Sequence, residues 1–306
     1  MNTTATAPKP VAMPVMPFAS MFQKQDEVGP PKSILLFGPP GTHKSSQVGA
    51  LIRRPEFTKI LYIDTDNGTE VLANFPDVHA TIGNDFGQPG EKRINIIPVD
   101  KTDPNAYGML RYLLGERSDR GEFMRGAVFG KGYDLIVVDT ANVMQEIAVQ
   151  WLTSNTWNAK SQLDTQAAWG RVGEWTGDIA WAFQNDLSMV GLWVAHSKEG
   201  TEDGGSFKIK PKFQGGIKDN IGAIPSLVVY VEQGKRVSPE DPETITATLG
   251  GSTIITSKNR YSFPGQIENF DMEKLYDMIA ERLEGTRSGP TQTQTNPAEA
   301  SAPVYI

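Results

Sequence analysis

Six short, almost unbroken apolar runs punctuate the chain and alternate with stretches of helical character. The runs are SILLF (33–37), KILYI (59–63), INIIPV (94–99), DLIVVD (134–139), VGLWVA (190–195) and SLVVYV (226–231). A strand with one wet face alternates apolar and polar residues. A run without polar interruptions belongs instead to a strand covered on both faces, as in a parallel sheet between helical layers. Residues 45–53, 106–114, 141–153 and 166–186 read as helices between the runs. Strand and helix in repetition predict an α/β fold with a mostly parallel, doubly wound sheet. TITATLGGSTIIT (244–256) breaks the rhythm, and its two β-prone halves about Gly250-Gly251 are expected to form an antiparallel hairpin appended C-terminally to that sheet.

The flanks differ in composition. Residues 1–30 are rich in Pro, Ala, Thr and Met, and residues 285–306 in Thr, Gln, Pro and Ala. Neither has the apolar surface that would offset the entropy of ordering, so both are expected to be tails around a core at 31–284. A chain of 306 residues needs no staples for such a core. It has no cysteine, which rules out disulfides and fits a reducing cytoplasm. Four prolines interrupt the apolar residues of the first 22 and no basic cluster precedes them, so no secretory leader is expected. No apolar stretch reaches the roughly 18 residues that span a bilayer, and no membrane partner is expected. A net charge of −7 opposes polyanion binding unless basic residues are locally concentrated.

FGPPGTHKSSQ (37–47) approaches the phosphate-loop pattern G-x-x-x-x-G-K-[ST]. Gly38, Lys44 and Ser45 stand at the right spacing, and His43 stands where the pattern has its second glycine. A strand precedes the loop and a helix follows, which is the context the motif requires. Backbone N–H groups of Gly41, Thr42, His43, Lys44 and Ser45 would face an ATP β-phosphate at a helix N-terminus, with Pro39, Pro40 and Ser46 completing the cradle. Lys44 would reach the β and γ oxygens and the Ser45 hydroxyl would hold Mg2+. Position 43 is expected to have positive φ. Histidine is among the residues enriched there, at a strain of about 1 kcal/mol. An ordinary Gly-Pro turn into a helix is the duller reading. The run DLIVVD then ends in Asp139, a carboxylate placed to share Mg2+ with Ser45.

YIDTD (62–66) ends the second strand in Asp64 and Asp66, followed by a turn at Asn67-Gly68. With the phosphate loop, VVDT and AHSK in that order, residues 31–284 resemble the RecA-like core ATPases of bacteriophages, the group that includes phage single-strand-annealing recombinases. The resemblance implies a RecA-like P-loop NTPase fold and a DNA-stimulated ATPase in phage recombination or annealing, located in the host cytoplasm. By it, Asp66 falls where a glutamate polarises the attacking water, one methylene shorter here, with Glu70 as a substitute acid. His196, at the tip of VGLWVAHSKEG, would sense the γ-phosphate. Lys258 and Arg260 of TSKNRYSFPG would reach into a neighbouring subunit's nucleotide. Strand capping by Asp64 and Asp66, a plain loop histidine and a basic surface turn remain the alternatives.

The resemblance also implies single-stranded DNA held by segments after the Asp139 and His196 strands. In 196–220, Lys208, Lys210 and Lys212 interleave with Phe207 and Phe213, ingredients for sequence-tolerant strand binding. Period-two spacing puts the lysines on one side if the segment is extended. A hairpin with a solvated lysine face is the alternative. In the earlier segment, Trp151, Trp157 and Trp169 lie near Lys160 and Arg171, but only Trp157 is a stacking candidate. Trp169 and Trp181 fall in a helical stretch where large aromatics are core. By the same resemblance Phe18 and Ala19 of PMPFASMF would dock on a neighbouring copy, and folding back on their own domain is the alternative. Expected partners are thus single-stranded DNA, further copies of the chain and a single-strand-binding protein. A helicase or helicase-loading motor and a nucleotide-dependent scaffold with little hydrolysis are the competing functions.

Overall fold

In a computed structural model, the described residues are 30–85, 87–88, 91–118, 120–155, 164–201, 206–234, 243–250 and 252–287. All of them but Pro30 fall in the unit that begins at Pro31. Its strands are β1 (Ser33–Gly38), β2 (Lys59–Asp64), β3 (Arg93–Pro98), β4 (Gly115–Arg117), β5 (Phe123–Arg125), β6 (Leu135–Asp139), β7 (Val190–Thr201), β8 (Phe207–Pro211), β9 (Leu227–Gln233), β10 (Ile245–Thr248), β11 (Lys258–Asn259) and β12 (Gln266–Ile267). Its α-helices are α1 (Lys44–Ile52), α2 (Pro76–His79), α3 (Ala106–Leu114), α4 (Ala141–Asn155), α5 (Thr165–Asn185) and α6 (Met272–Arg287).

The six apolar runs become six parallel strands in the order β3-β2-β6-β7-β1-β9. Their side chains alternate between two cores, which is why no polar residue interrupts them. Leu35, Phe37, Ile136, Val138 and Trp193 join residues of α3, α4 and α5 on one face. Ile34, Leu36, Val137, Leu192 and Val194 join residues of α1 and α6 on the other. The four helices expected from sequence are α1, α3, α4 and α5. No expectation covered α6, although its buried Met272, Leu275, Tyr276 and Ile279 carry the i, i+3, i+4, i+7 signature of one apolar face. It runs to Arg287, past the expected start of the C-terminal tail at 285.

The antiparallel addition at the sheet's end is present with different partners. Residues 244–256 do not fold back on themselves: β10 pairs with β9 on one side and with β12 on the other. Ile255, from the second half, bridges to Ile209 of β8. The outer edge of β9 offers a ready row of backbone donors and acceptors, and there Ala247 and Leu249 become fully buried. A two-residue-turn hairpin would not bury them.

The order of strands sets the site. Gly38 of β1 is in register with His196 of β7, Asp139 of β6 with Val194 of β7, and Asp64 of β2 with Asp139. Loop, histidine and carboxylates therefore line one row along the carboxyl ends of the parallel strands, where open α/β sheets bind ligands. Beyond His196, β7 leaves the sheet and its Ser197–Thr201 stretch pairs antiparallel with β8.

Candidate functional site

The loop between β1 and α1 is shaped by close approaches. A Cβ on Gly38 would lie 2.0 Å from the Val231 carbonyl oxygen, so only glycine fits beside β9. Thr42 Oγ1 donates to the Pro39 carbonyl at 2.8 Å. Gly41 has φ +76° and His43 has φ 56°, ψ 27°, the left-handed conformation foreseen for position 43. The His43 ring meets Glu243 Oε2 at 2.8 Å through Nε2 and so ties the loop to the start of β10. Helix α1 begins at Lys44 without an acidic residue in its first turn and without a side-chain cap among the described residues. Its free N–H groups and its dipole together suit an anion. The buried Lys44 ammonium donates to the carbonyls of Gly38 (3.1 Å) and Pro39 (2.6 Å). Burial pulls its pKa down to about 8, against the opposing fields of Asp139 and Asp66.

Across the crevice, Asp139 Oδ2 accepts from Ser45 Oγ at 2.7 Å and from the Tyr62 hydroxyl. Its other oxygen, Oδ1, is buried with no hydrogen-bond partner among the described residues. Burial raises the Asp139 pKa, while donation from Tyr62 and Ser45 works the other way. An orphaned carboxylate oxygen beside a hydroxyl is a hard-oxygen pair that fits Mg2+. No group of three or more His, Cys, Asp or Glu side chains gathers as a metal cage among the described residues. Mg2+ commonly takes only one or two protein ligands and completes its shell with phosphate and water. Gly68 closes this corner, since a Cβ there would meet Asp139 Oδ2 at 2.4 Å.

Asp64 and Asp66 separate in role. Asp64 Oδ1 accepts the Gly68 N–H at 2.9 Å and Oδ2 accepts the Thr69 N–H at 3.2 Å and the Thr69 hydroxyl. That carboxylate is consumed in capping the turn, as one sequence reading had it. Asp66 is half-exposed and stands 3.5 Å from His196 Nε2. His196 Nδ1 is buried without a partner among the described residues. Burial, then the nearby Lys44 charge, lowers the His196 pKa, with Asp66 opposing. Glu70 lines the same pocket of about 390 Å³, which is bounded by Lys44, Ser45, Asp66, Asp139 and His196.

The basic segment is a β7–β8 hairpin. Lys208 and Lys210 share one face of β8, whereas Lys212 lies beyond its end and donates its N–H to the His196 carbonyl at 2.7 Å. Lys208 donates to the Thr253 carbonyl, Lys210 pairs with Asp219 at 3.2 Å, and Lys212 lies 3.9 Å from Glu146. Phe207 is exposed. Phe213 is not available for stacking on bases: it is 4% exposed and packs edge-on against Trp193, ring centroids 6.5 Å apart. Trp169 is half-buried rather than core, Trp181 is 52% exposed, and Trp151 leans on Tyr107 with centroids 5.1 Å apart. Trp157, Lys160, Phe18 and Ala19 lie outside the described residues.

Lys258 and Arg260 are away from their own chain's crevice. Lys258 pairs with Val228 in the first half of β9, near the amino ends of the parallel strands, and donates to the Ala223 carbonyl. Arg260 is exposed. Sequence reasoning missed Tyr62, whose hydroxyl reaches Asp139, and Asn142. Asn142 accepts the His196 N–H and donates to the Lys212 carbonyl, joining the crevice to the base of the basic hairpin. A tyrosine or asparagine at a buried strand or helix end is the only signal either leaves, and it names no partner.

A family model described as an AAA domain matches residues 30–261. No curated protein matches by sequence. Among solved structures the chain is similar to the RadB recombinase, at TM-score 0.41 and 13% identity, over 78% of this chain and 86% of that one. It is also similar to a type III secretion ATPase of pathogenic bacteria, at TM-score 0.36 and 12% identity, over 65% of this chain and 52% of that one. The secretion ATPase EscN of enteropathogenic E. coli gives 0.38 and 12%, over 65% and 42%. The chain thus spans about half or less of the two secretion ATPases. Likenesses this distant say nothing of function.

Proposed function

Because the chain belongs to the AAA-domain family, we propose that it binds ATP with Mg2+ and hydrolyses it, with single-stranded DNA as the stimulating partner. The observation that carries this reading is the facing pair at the crevice: the uncapped α1 N-terminus with buried Lys44 on one side, and the unpartnered Asp139 Oδ1 beside Ser45 on the other. The N–H groups of 41–45 take the phosphates, and Lys44 leaves the Gly38 and Pro39 carbonyls for the β and γ oxygens. Ser45 and Asp139 would hold Mg2+, which would supply positive charge to the transferred group. Asp66 orients a water toward the γ-phosphorus and takes its proton as the new O–P bond forms. The β–γ bridging bond breaks and its electron pair leaves with ADP. His196, 3.5 Å from Asp66 and lining the same pocket, would sense the γ-phosphate and report its loss.

The basic hairpin continuing from His196 supports the DNA part of the reading, since neutralising phosphates supplies most of the affinity for a strand. The further proposals are assembly of several copies, with Lys258 and Arg260 acting on a neighbour's nucleotide, and a role in phage-type recombination or annealing inside a bacterial host. They rest on the motif resemblance alone. One observation favours a second reading, a nucleotide-dependent scaffold that turns over slowly: the acid at the expected position is the short Asp66, already drawn toward His196. Steady-state ATP hydrolysis with and without oligo(dT) tests both. Stimulation of turnover supports the ATPase, tight ATP binding with negligible turnover in either condition supports the scaffold, and absence of ATP binding overturns the site.

A further inference from the structure

Two grooves flank the β7–β8 hairpin. One, of about 450 Å³, is lined by Lys198, Lys208, Lys210 and Lys218. The other, of about 630 Å³, is lined by Lys198, Lys212, Lys218 and Trp169. Lys198 and Lys218 belong to both, so the two form one basic path. In the antiparallel ladder Lys198 stands directly opposite Lys210, an arrangement of like charges that opposes pairing. Of the neighbouring acids, Asp219 lines the first groove and is engaged by Lys210 at 3.2 Å, and Glu146 lies 3.9 Å from Lys212. Lys198 and Lys218 are exposed and have no acidic partner among the described residues. A chain of net charge −7 that gathers lysines this way has built a seat for an extended anion.

The aromatic surface of the path differs from the one the sequence promised. Phe213, the expected platform, borders both grooves but is 4% exposed and packs against Trp193, which leaves no open ring face. Trp169, from the first part of α5, stands in the groove wall instead. Its place beside Lys218 is fixed by backbone contact. A Cβ on Gly215, which has φ +70°, would lie 2.7 Å from the Trp169 carbonyl oxygen, and one on Gly173 would lie 2.9 Å from the Gly216 nitrogen. Only glycines let α5 come so close to the turn that carries Lys218. Gln145 of α4 braces the same turn by accepting the Gln214 N–H at 2.8 Å.

We propose that Trp169 is the base-stacking platform of a single-stranded nucleic-acid path whose phosphates are held by Lys198 and Lys218. The inference deepens the DNA reading above and rests on it. Phosphates spaced along an extended strand meet the shared lysines, and a base turned toward the 630 Å³ groove meets the indole. Stacking is indifferent to base identity, so the site tolerates any sequence.

Anisotropy of labelled oligo(dT) and its competition by inorganic polyphosphate of matching length separate the contributions, with ATP-analogue binding confirming that each variant folds. Trp169→Ala should weaken oligo(dT) binding about tenfold, the scale of one lost stacked base, and leave polyphosphate competition unchanged. Trp169→Phe should retain most of the affinity. The double variant Lys198→Gln, Lys218→Gln should weaken both ligands and reduce the slope of log affinity on log salt by about 0.7 per lost contact. Wild-type oligo(dT) affinity in Trp169→Ala, or an equal loss for polyphosphate, overturns the platform while leaving the DNA reading standing. Failure of the unmodified protein to bind oligo(dT) overturns that reading and the platform with it.

Discussion

His43 holds the left-handed conformation where the phosphate-loop pattern has glycine, and its ring is occupied by Glu243 at 2.8 Å. Replacing it with glycine relieves about 1 kcal/mol of backbone strain and removes an exposed pair worth about 0–1 kcal/mol. The two nearly cancel, so His43→Gly should change stability by less than about 1 kcal/mol and keep ATP binding; urea melts with and without nucleotide check this. Lys44 is different, because its ammonium is the charge the loop is built around. Lys44→Ala should abolish ATP binding by calorimetry, and wild-type affinity would remove the site assignment. Asp66 is proposed to act on the water and not on the nucleotide. Asp66→Asn should therefore leave ATP affinity nearly intact while turnover falls at least about a hundredfold, the scale of a lost general base. Unchanged turnover would transfer the role to Glu70, which lines the same pocket.

At the scale of elements, β7 is one strand with two partners: its first half lies in the parallel sheet and its second half forms the basic hairpin with β8. His196 sits at the changeover, and Asn142 bonds it to Lys212. The hairpin is the element whose charge is proposed to meet the strand. Changing Lys208, Lys210 and Lys212 together to Ala should weaken oligo(dT) binding and flatten its salt dependence by about 0.7 per phosphate contact removed. Equilibrium titrations at several salt concentrations measure this, and an unaltered slope would leave the hairpin as a solvated face. The Asp219 and Glu146 partners of Lys210 and Lys212 make the expected loss smaller than for lysines free in solvent.

For the molecule as a whole, the separation of Lys258 and Arg260 from their own crevice matters. Lys258 lies level with the amino half of β9, whereas the phosphate loop leaves the carboxyl end of β1 beside it. If these side chains act on a neighbour's nucleotide, each site needs two chains. Lys44→Ala and Arg260→Ala proteins should then be inactive alone and recover part of the ATPase rate when mixed, because a mixed assembly pairs an intact loop with an intact arginine. An Arg260→Ala protein with full activity by itself would show that no such contribution exists.

Most of the scaffold was legible in the chain because it rests on local pattern. A strand covered on both faces must be apolar throughout, and all six such runs are strands of the parallel sheet. The loop was legible because its chemistry is consecutive in sequence, down to the positive φ at position 43. Partnership between distant segments was not. Which edge 244–256 would join, that Asp64 would spend itself on Gly68 and Thr69, that Phe213 would turn inward while Trp169 stays half-buried in a groove wall, and that Tyr62 would reach Asp139 all depend on which strands become neighbours. A sequence states what each residue can do; only the packed sheet, by bringing β6, β7 and β1 side by side, settles which groups it is done to.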